Sequence, residues 1–348
     1  MAVSPVDILI FAPLAPILGV LLFWFIQLVF IESQKYLLSK IRPKHEPFCN
    51  FTNFIGILFQ TICHALGYTV TRSGISQFQL NIYYGRVKPK KEKTGIFEWI
   101  SNSFLFLGPF FIPAALLLIC LFFLINGGFE TTTAAEYTFA EGMINFGSNL
   151  YSFSKSFFSF LFTMDLLHPA QLGFLLLLIF LGLGIRPSYI VEEQRRKVDM
   201  VYDLKNIKSH ILLRPLYIIL LFLLAYVIFY VSLLLSQSWY SNLFSIFGWL
   251  SIISIVSLIV AHLLTLLIKI ADNIPKYWKM LLYLTIPISY VVIRLIFYFF
   301  PSSYTTTISL LFTIFLTVIV TILLLKFKTN KFKSKTEMKK VREMDEPK

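Results

Sequence analysis

Of 348 residues, 57% are hydrophobic and only 14% are charged, and mean hydropathy is +0.75. That balance excludes a soluble globular domain, which would lack the polar surface to cover itself, and the long apolar runs indicate a multi-pass membrane protein. The net charge of +13 sits mostly in short loops and the tail, as in segments held at an anionic leaflet, and no compact basic domain exists to grip nucleic acid.

In chain order, Ile8 to Ile31 is the first expected span, broken near its start by Pro13 and Pro16 and followed by a basic loop with Lys35, Lys40, Arg42 and Lys44. The first apolar stretch is too long and lacks the basic start of a cleavable signal peptide. The segment from Phe51 to Val70 differs from the others. On a helix, Asn53, Gly56, Gln60, His64, Gly67 and Thr71 recur at spacings of three and four, forming a polar and small-residue stripe on an otherwise apolar rod. Such a stripe cannot face lipid, so it must meet another helix or a wet cavity.

Residues 72–99 read as a small β-hairpin at the membrane surface, with Phe78 to Tyr84 weakly alternating and a turn expected at Gly85 and the Lys88–Lys93 cluster. Phe104 to Ile125 is a strong span containing Gly108-Pro109 and Pro113. Residues 127–149 carry Glu130, Glu136 and Glu141 without Lys or Arg and are expected as an outer loop. Tyr151 to Phe162 reads as interfacial, leading through Asp165 and His168 to a span from Leu172 to Ile185.

The mixed-charge stretch Arg186–His210 is expected as a solvated cytoplasmic helix. Four further spans follow at Ile211–Leu235, Leu243–Ile270, Lys279–Phe300 and Thr305–Phe327. The tail beyond Lys326 is polybasic and expected to be without fixed structure. Loop charges alternate from Arg72 onward, and only the Lys35–Lys44 loop resists the positive-inside pattern. With the Gln60/His64 helix as a full crossing, about eight spans place both ends in the cytoplasm. The expected class is therefore an all-α polytopic protein with a hairpin near 72–99. Its organisation reads as 1–50 first span and loop, 51–190 membrane core, 191–210 linker, 211–327 four-helix bundle and 328–348 tail.

Set against HExxH, Gln60-Thr61-Ile62-Cys63-His64 fills the five positions and is followed by Ala65-Leu66-Gly67. This resembles the site-2 protease family of intramembrane zinc metalloproteases. In that family the motif helix is followed by a cytoplasmic hairpin, a span with Gly-Pro and an extracytoplasmic insert, an order matched here by residues 72–99, Gly108-Pro109 and 127–149. The resemblance covers about residues 51–188. Its departures fall on the chemistry. Two histidines one turn apart hold the metal and the intervening glutamate polarises its water, but here Gln60 and Thr61 stand in place of the first histidine and the glutamate. The region matching the family's Leu-Asp-Gly, Pro169 to Gly173, lacks its Asp, and Ile112 stands near the position of the family's Asn.

A catalytic zinc normally takes three protein ligands plus water, and loss of the general base alone costs about 10²–10⁴ in rate. The resemblance thus implies a pseudoprotease-like fold with no catalytic residue, metal or cofactor expected. The groove that would grip a membrane-embedded protein or transmembrane peptide comprises Asn53, Gly56, Gln60, His64, Gly67, Gly108 and Pro109. Two alternatives stay open. One is an active metalloprotease with zinc rebuilt on His64, Asp165 and His168. The other is a transporter using Arg294 and His262, although Arg294 also fits snorkelling and His262 a simple helix-packing bond. A partial likeness of Glu192 to Lys197 to the EExxxR signature of CAAX-type proteases is rejected, because Lys197 stands at the arginine position. The cysteines Cys49, Cys63 and Cys120 show no paired spacing. The expected location is the plasma membrane, with the carboxy terminus cytoplasmic.

Overall fold

The structure, a computed structural model, describes residues 4–82, 84–125, 138–184, 208–209, 214–274, 276–300, 302 and 304–345. It is an all-α polytopic membrane architecture with one small two-stranded sheet. A π-helical turn, Asp7–Phe11, precedes α1 (Leu14–Ile41), α2 (Glu46–Val70), β1 (Ile75–Leu80), β2 (Gly85–Pro89), α3 (Ile96–Leu124), α4 (Phe139–Thr163) and α5 (Pro169–Gly184). Then come α6 (Pro215–Leu234), α7 (Trp239–Ala271), α8 (Lys276–Phe299) and α9 (Thr305–Asp345). Among the described residues six helices are long and apolar enough to cross a membrane: α1, α3, α6, α7, most of α8, and α9 as far as Lys326. The other two expected spans are not among them. The polar stripe lowers the hydropathy of α2, and α5 has only 16 residues.

Three expectations are corrected. Gly85 and the lysines do not form the hairpin turn: Gly85 opens β2, Lys88 lies within it, and the turn is Asn81–Tyr84, closed by Asn81 N–H donating to Tyr84 O at 2.9 Å. The outer segment is helical from Phe139, started by a capping box in which Thr138 Oγ1 accepts the Glu141 amide at 3.1 Å and Glu141 Oε2 accepts the Thr138 amide at 3.0 Å, with the Asp7 carboxylate adding a longer contact to the Phe139 amide at 3.4 Å. The tail runs on as backbone helix to Asp345, because Lys-, Glu- and Met-rich sequence without Gly or Pro favours it. The charged segment 186–210, apart from Lys208 and Ser209, and Glu130 and Glu136 lie outside the described residues.

By contacts the chain forms two units, residues 1–157 with 168–263, and residues 158–167 with 264–348. In the first unit the prolines of the opening segment dictate their own repair. Pro13 has no N–H for the Leu9 carbonyl, and that oxygen instead accepts the Tyr230 hydroxyl. Tyr226 bonds Ile10 O at 2.8 Å, and the buried Tyr240 bonds Pro13 O. The centre of this unit is α7, whose Ser245, Ser251, Ser254 and Ser257 are all fully buried. Small residues let backbones approach: a Cβ on Gly182 of α5 would lie 2.0 Å from Ser257 O. Asn149 of α4 donates to Ser245 Oγ at 3.0 Å, and Trp249 stacks on Phe153 with ring centroids 5.2 Å apart.

In the second unit α8 and α9 pack on one another, and α9 carries a run of hydroxyls bonded along its own backbone. Ser309, Thr313, Thr317 and Thr321 each donate to the carbonyl four residues earlier, satisfying their own polarity within the helix. Ala271, Ile274 and Leu282 close one end against Val320, Leu324 and Leu325.

Candidate functional site: the buried face of α2

Helix α2 begins with Glu46 and Pro47 in its first turn, both suited to a helix start. It ends where Arg72 and Gly74 take left-handed φ values of 54° and 66°, turning the chain back into the hairpin. Most of the expected groove is consumed by packing within the chain. Thr71 Oγ1 bonds Gly67 O at 2.9 Å and Ser101 Oγ of α3 at 3.0 Å. A Cβ on Gly67 would sit 2.9 Å from Phe104 Cβ and from Ser101 O, and one on Gly108 would sit 2.9 Å from Cys63 Cβ. Gly67 and Gly108 are therefore contact points of an α2–α3 interface, and Asn53, Gly56 and Pro109 are buried as well. On another side, Gly184 of α5 meets Ile55 and Phe59, where an added Cβ would come within 2.3 Å.

The motif positions diverge in their surroundings. Thr61, where the family carries its glutamate, is 5% exposed and donates its hydroxyl to Ile57 O at 2.6 Å. It lies directly under the hairpin: a Cβ on Gly85 would be 1.9 Å from Thr61 Oγ1 and 3.0 Å from Ile57 Cγ2. The register pairs Phe78 with Val87 and Leu80 with Gly85, so these four share the apolar face turned to α2, while Gln77, Gln79, Arg86 and Lys88 share the other. Thr61 precedes the end of α2 by nine residues, so the hairpin reaches about 13 Å along the helix.

Gln60 and His64 lie one turn apart and are half-buried. The His64 ring lies 4.5 Å from that of Tyr68, and its Nε2 is enclosed with no hydrogen-bond partner among the described residues.

The donor set does not fit a catalytic metal. Gln60 offers an amide, Thr61 is committed to Ile57 O, and Asp165 is engaged by Arg294 at 2.6 Å and Tyr290 at 3.1 Å. His168 is exposed, its carbonyl accepting the Leu172 amide of α5 at 3.0 Å. Among the described residues no group of three His, Cys, Asp or Glu side chains is placed to hold a metal ion, and the rebuilt trio of His64, Asp165 and His168 is not such a group.

A polar junction without a motif in the sequence lies beside Gly108-Pro109. Phe110 O accepts both Gln27 Nε2 of α1 and Ser254 Oγ of α7, each at 3.2 Å, with Gln27 and Ser254 fully buried. The available signals were a lone glutamine inside the first span and serines recurring along α7. His262 lies further along α7, with Nδ1 2.8 Å from Leu258 O; the carbonyl can only accept, so Nδ1 carries the proton. Comparison of the chain with known protein families, with curated proteins and with solved structures finds no match.

Proposed function

We propose that this chain is a non-catalytic, pseudoprotease-like membrane protein that holds a membrane-embedded partner, a transmembrane peptide or protein, against the Gln60/His64 side of α2. The observation that carries this reading is His64, whose Nε2 is enclosed without a partner among the described residues. An orphaned polar group in an apolar environment costs about 1–3 kcal/mol, and a donor from a bound helix or strand would recover that cost. The hairpin contributes as well. Two strands alone leave unpaired backbone along both edges, open to pairing with an added strand. Of the expected groove, Gln60 and His64 remain available, while Asn53, Gly56, Gly67, Gly108 and Pro109 form its packed floor. The basic loops and tail support a plasma-membrane location with the carboxy terminus cytoplasmic.

The reading is tested with the purified full chain. Zinc content measured by mass spectrometry should be well below one ion per chain and unchanged in His64→Ala. A photo-crosslinking residue at position 60 should capture a membrane protein or peptide in native membranes, and His64→Phe, which keeps the ring stack, should lower that yield about ten-fold. Stoichiometric zinc lost on His64→Ala would replace this reading with the metallopeptidase alternative. Capture insensitive to His64→Phe would refute the groove.

A further inference from the structure

The second unit carries a cleft of about 590 Å³ at the end of α8 and the start of α9. Its lining is mixed: Val291, Leu295 and Phe297 are apolar, and Arg294, Ser302 and Thr306 add polar groups. An arginine among apolar helices is costly unless paired and useful. Arg294 is held from one side: its Nη2 lies 2.6 Å from Asp165 Oδ2, and Asp165 Oδ1 accepts the Tyr290 hydroxyl at 3.1 Å and the Leu167 amide at 3.0 Å. Tyr290 OH in turn accepts the Leu166 amide at 3.0 Å. These bonds fix the carboxylate, and the carboxylate fixes the guanidinium plane. Only one of the five guanidinium N–H groups is used by that contact, and Nε is buried with no acceptor among the described residues.

Around this point the chemistry is that of a lipid headgroup. The first turn of α9 presents backbone amides whose dipoles favour an anion, and Thr306 lies in that turn. Tyr298, Phe299, Phe300 and Tyr304 are all at least 70% exposed. An aromatic cluster of this kind at helix ends marks the headgroup level of a bilayer. We propose that this cleft is a binding site for one glycerophospholipid, its phosphodiester bridging Arg294 and the start of α9 and an acyl chain lying along Val291 and Leu295. Asp165 stands against the same guanidinium and offsets its charge, so selectivity comes from bidentate geometry and hydroxyl donors more than from net charge. This site is independent of the α2 face.

The test is native mass spectrometry of the full chain in detergent, titrated with palmitoyl-oleoyl phosphatidylglycerol, with phosphatidylethanolamine, and with the matching diacylglycerol, which has the acyl chains without the phosphate. Both phospholipids should be retained at one copy at least ten-fold more tightly than diacylglycerol. Arg294→Lys should weaken retention several-fold. The double variant Asp165→Asn with Arg294→Leu, which leaves no orphaned charge, should abolish the preference for phosphate while leaving diacylglycerol retention unchanged. Equal retention of phospholipid and diacylglycerol by the native chain, or undiminished phospholipid retention by the double variant, would overturn the proposal. Displacement of the lipid by millimolar inorganic phosphate would also overturn it, by assigning the site to the free anion.

Discussion

The contact between Gly85 and Thr61 makes a demanding prediction. Gly85 lies in a strand with ordinary backbone angles, where alanine would normally stabilise by about 0.5–1 kcal/mol because glycine loses more freedom on folding. Here the new methyl would lie 1.9 Å from Thr61 Oγ1, 3.2 Å from Thr61 Cβ and 3.0 Å from Ile57 Cγ2. The hydroxyl is itself fixed by its bond to Ile57 O, so the strand must lift. Overpacking of this kind costs about 1–3 kcal/mol. Gly85→Ala should therefore loosen the hairpin, where geometry at a free strand would tighten it. Trypsin cleavage after Arg86, which is exposed, reads this directly. If cleavage proceeds through local opening, its rate should rise about five- to a hundred-fold. Thr61→Ala removes the colliding oxygen, so the double variant should return most of the way, with a coupling of about 1–2 kcal/mol. Thr61→Glu, which puts a longer, charged side chain at the same point, should expose the hairpin at least as much as Gly85→Ala. Unchanged cleavage in Gly85→Ala, or penalties that simply add in the double variant, would show that β2 is not seated on the motif helix.

The polar repairs inside the first unit can be tested in the same way, by thermal stability in detergent. Tyr230→Phe leaves Leu9 O without its donor and should cost about 1 kcal/mol, but in a Pro13→Ala background, where residue 13 regains its N–H, the same change should be nearly silent. Gln27→Leu should be close to neutral, since Ser254 still serves Phe110 O and the enclosed Gln27 Oε1 disappears with the side chain. Adding Ser254→Ala strips the carbonyl of both outside donors, so the pair should cost more than the sum of the single changes, by about 0.5–3 kcal/mol. Asp7→Asn weakens the cap on α4 and should speed amide exchange from Phe139 to Gly142, with little change elsewhere.

What could be read from the residues follows how local the determining physics is. Long apolar runs specify α1, α3, α6 and α7 without reference to neighbours, because hydrocarbon alone demands an internally bonded helix. The hairpin was visible in its alternation, but its turn was not. Gly85 and the lysine cluster are strong local turn signals, yet the glycine is needed where β2 crosses Thr61, a tertiary requirement that overrides turn chemistry. The start of α4 did carry a local signal: Thr138-Phe139-Ala140-Glu141 is a T-x-x-E capping box, closed by Thr138 N–H on Glu141 Oε2 at 3.0 Å and Glu141 N–H on Thr138 Oγ1 at 3.1 Å. Only the added 3.4 Å contact from the distant Asp7 lies beyond any local window. The polar stripe of α2 was legible as a stripe, while its division into a packed floor and an open pair depended on where Ser101, Cys63 and Gly85 arrive.

That division separates two uses of polarity inside one membrane chain. Thr61, Thr71, Ser309 and Thr313 satisfy themselves against their own helix and cost the fold little. Asn149 and Ser254 are satisfied by neighbouring helices and so fix how those helices sit. His262 belongs partly to the first class, through Leu258 O. His64 has a ring neighbour, Tyr68, but its Nε2, like that of His262, is enclosed with no acceptor or donor among the described residues, and no bond to its own helix accompanies it as Leu258 O does for His262. If the stripe served only to join α2 to α3, His64 would be the position where a leucine or phenylalanine does better, because packing and the stack on Tyr68 would survive and the orphaned nitrogen would not. In the proposed reading that nitrogen meets a group from the bound partner, so the Gln60/His64 side of α2, and not the Gly67 and Gly108 side, is the one that the crosslinking experiment puts to the test.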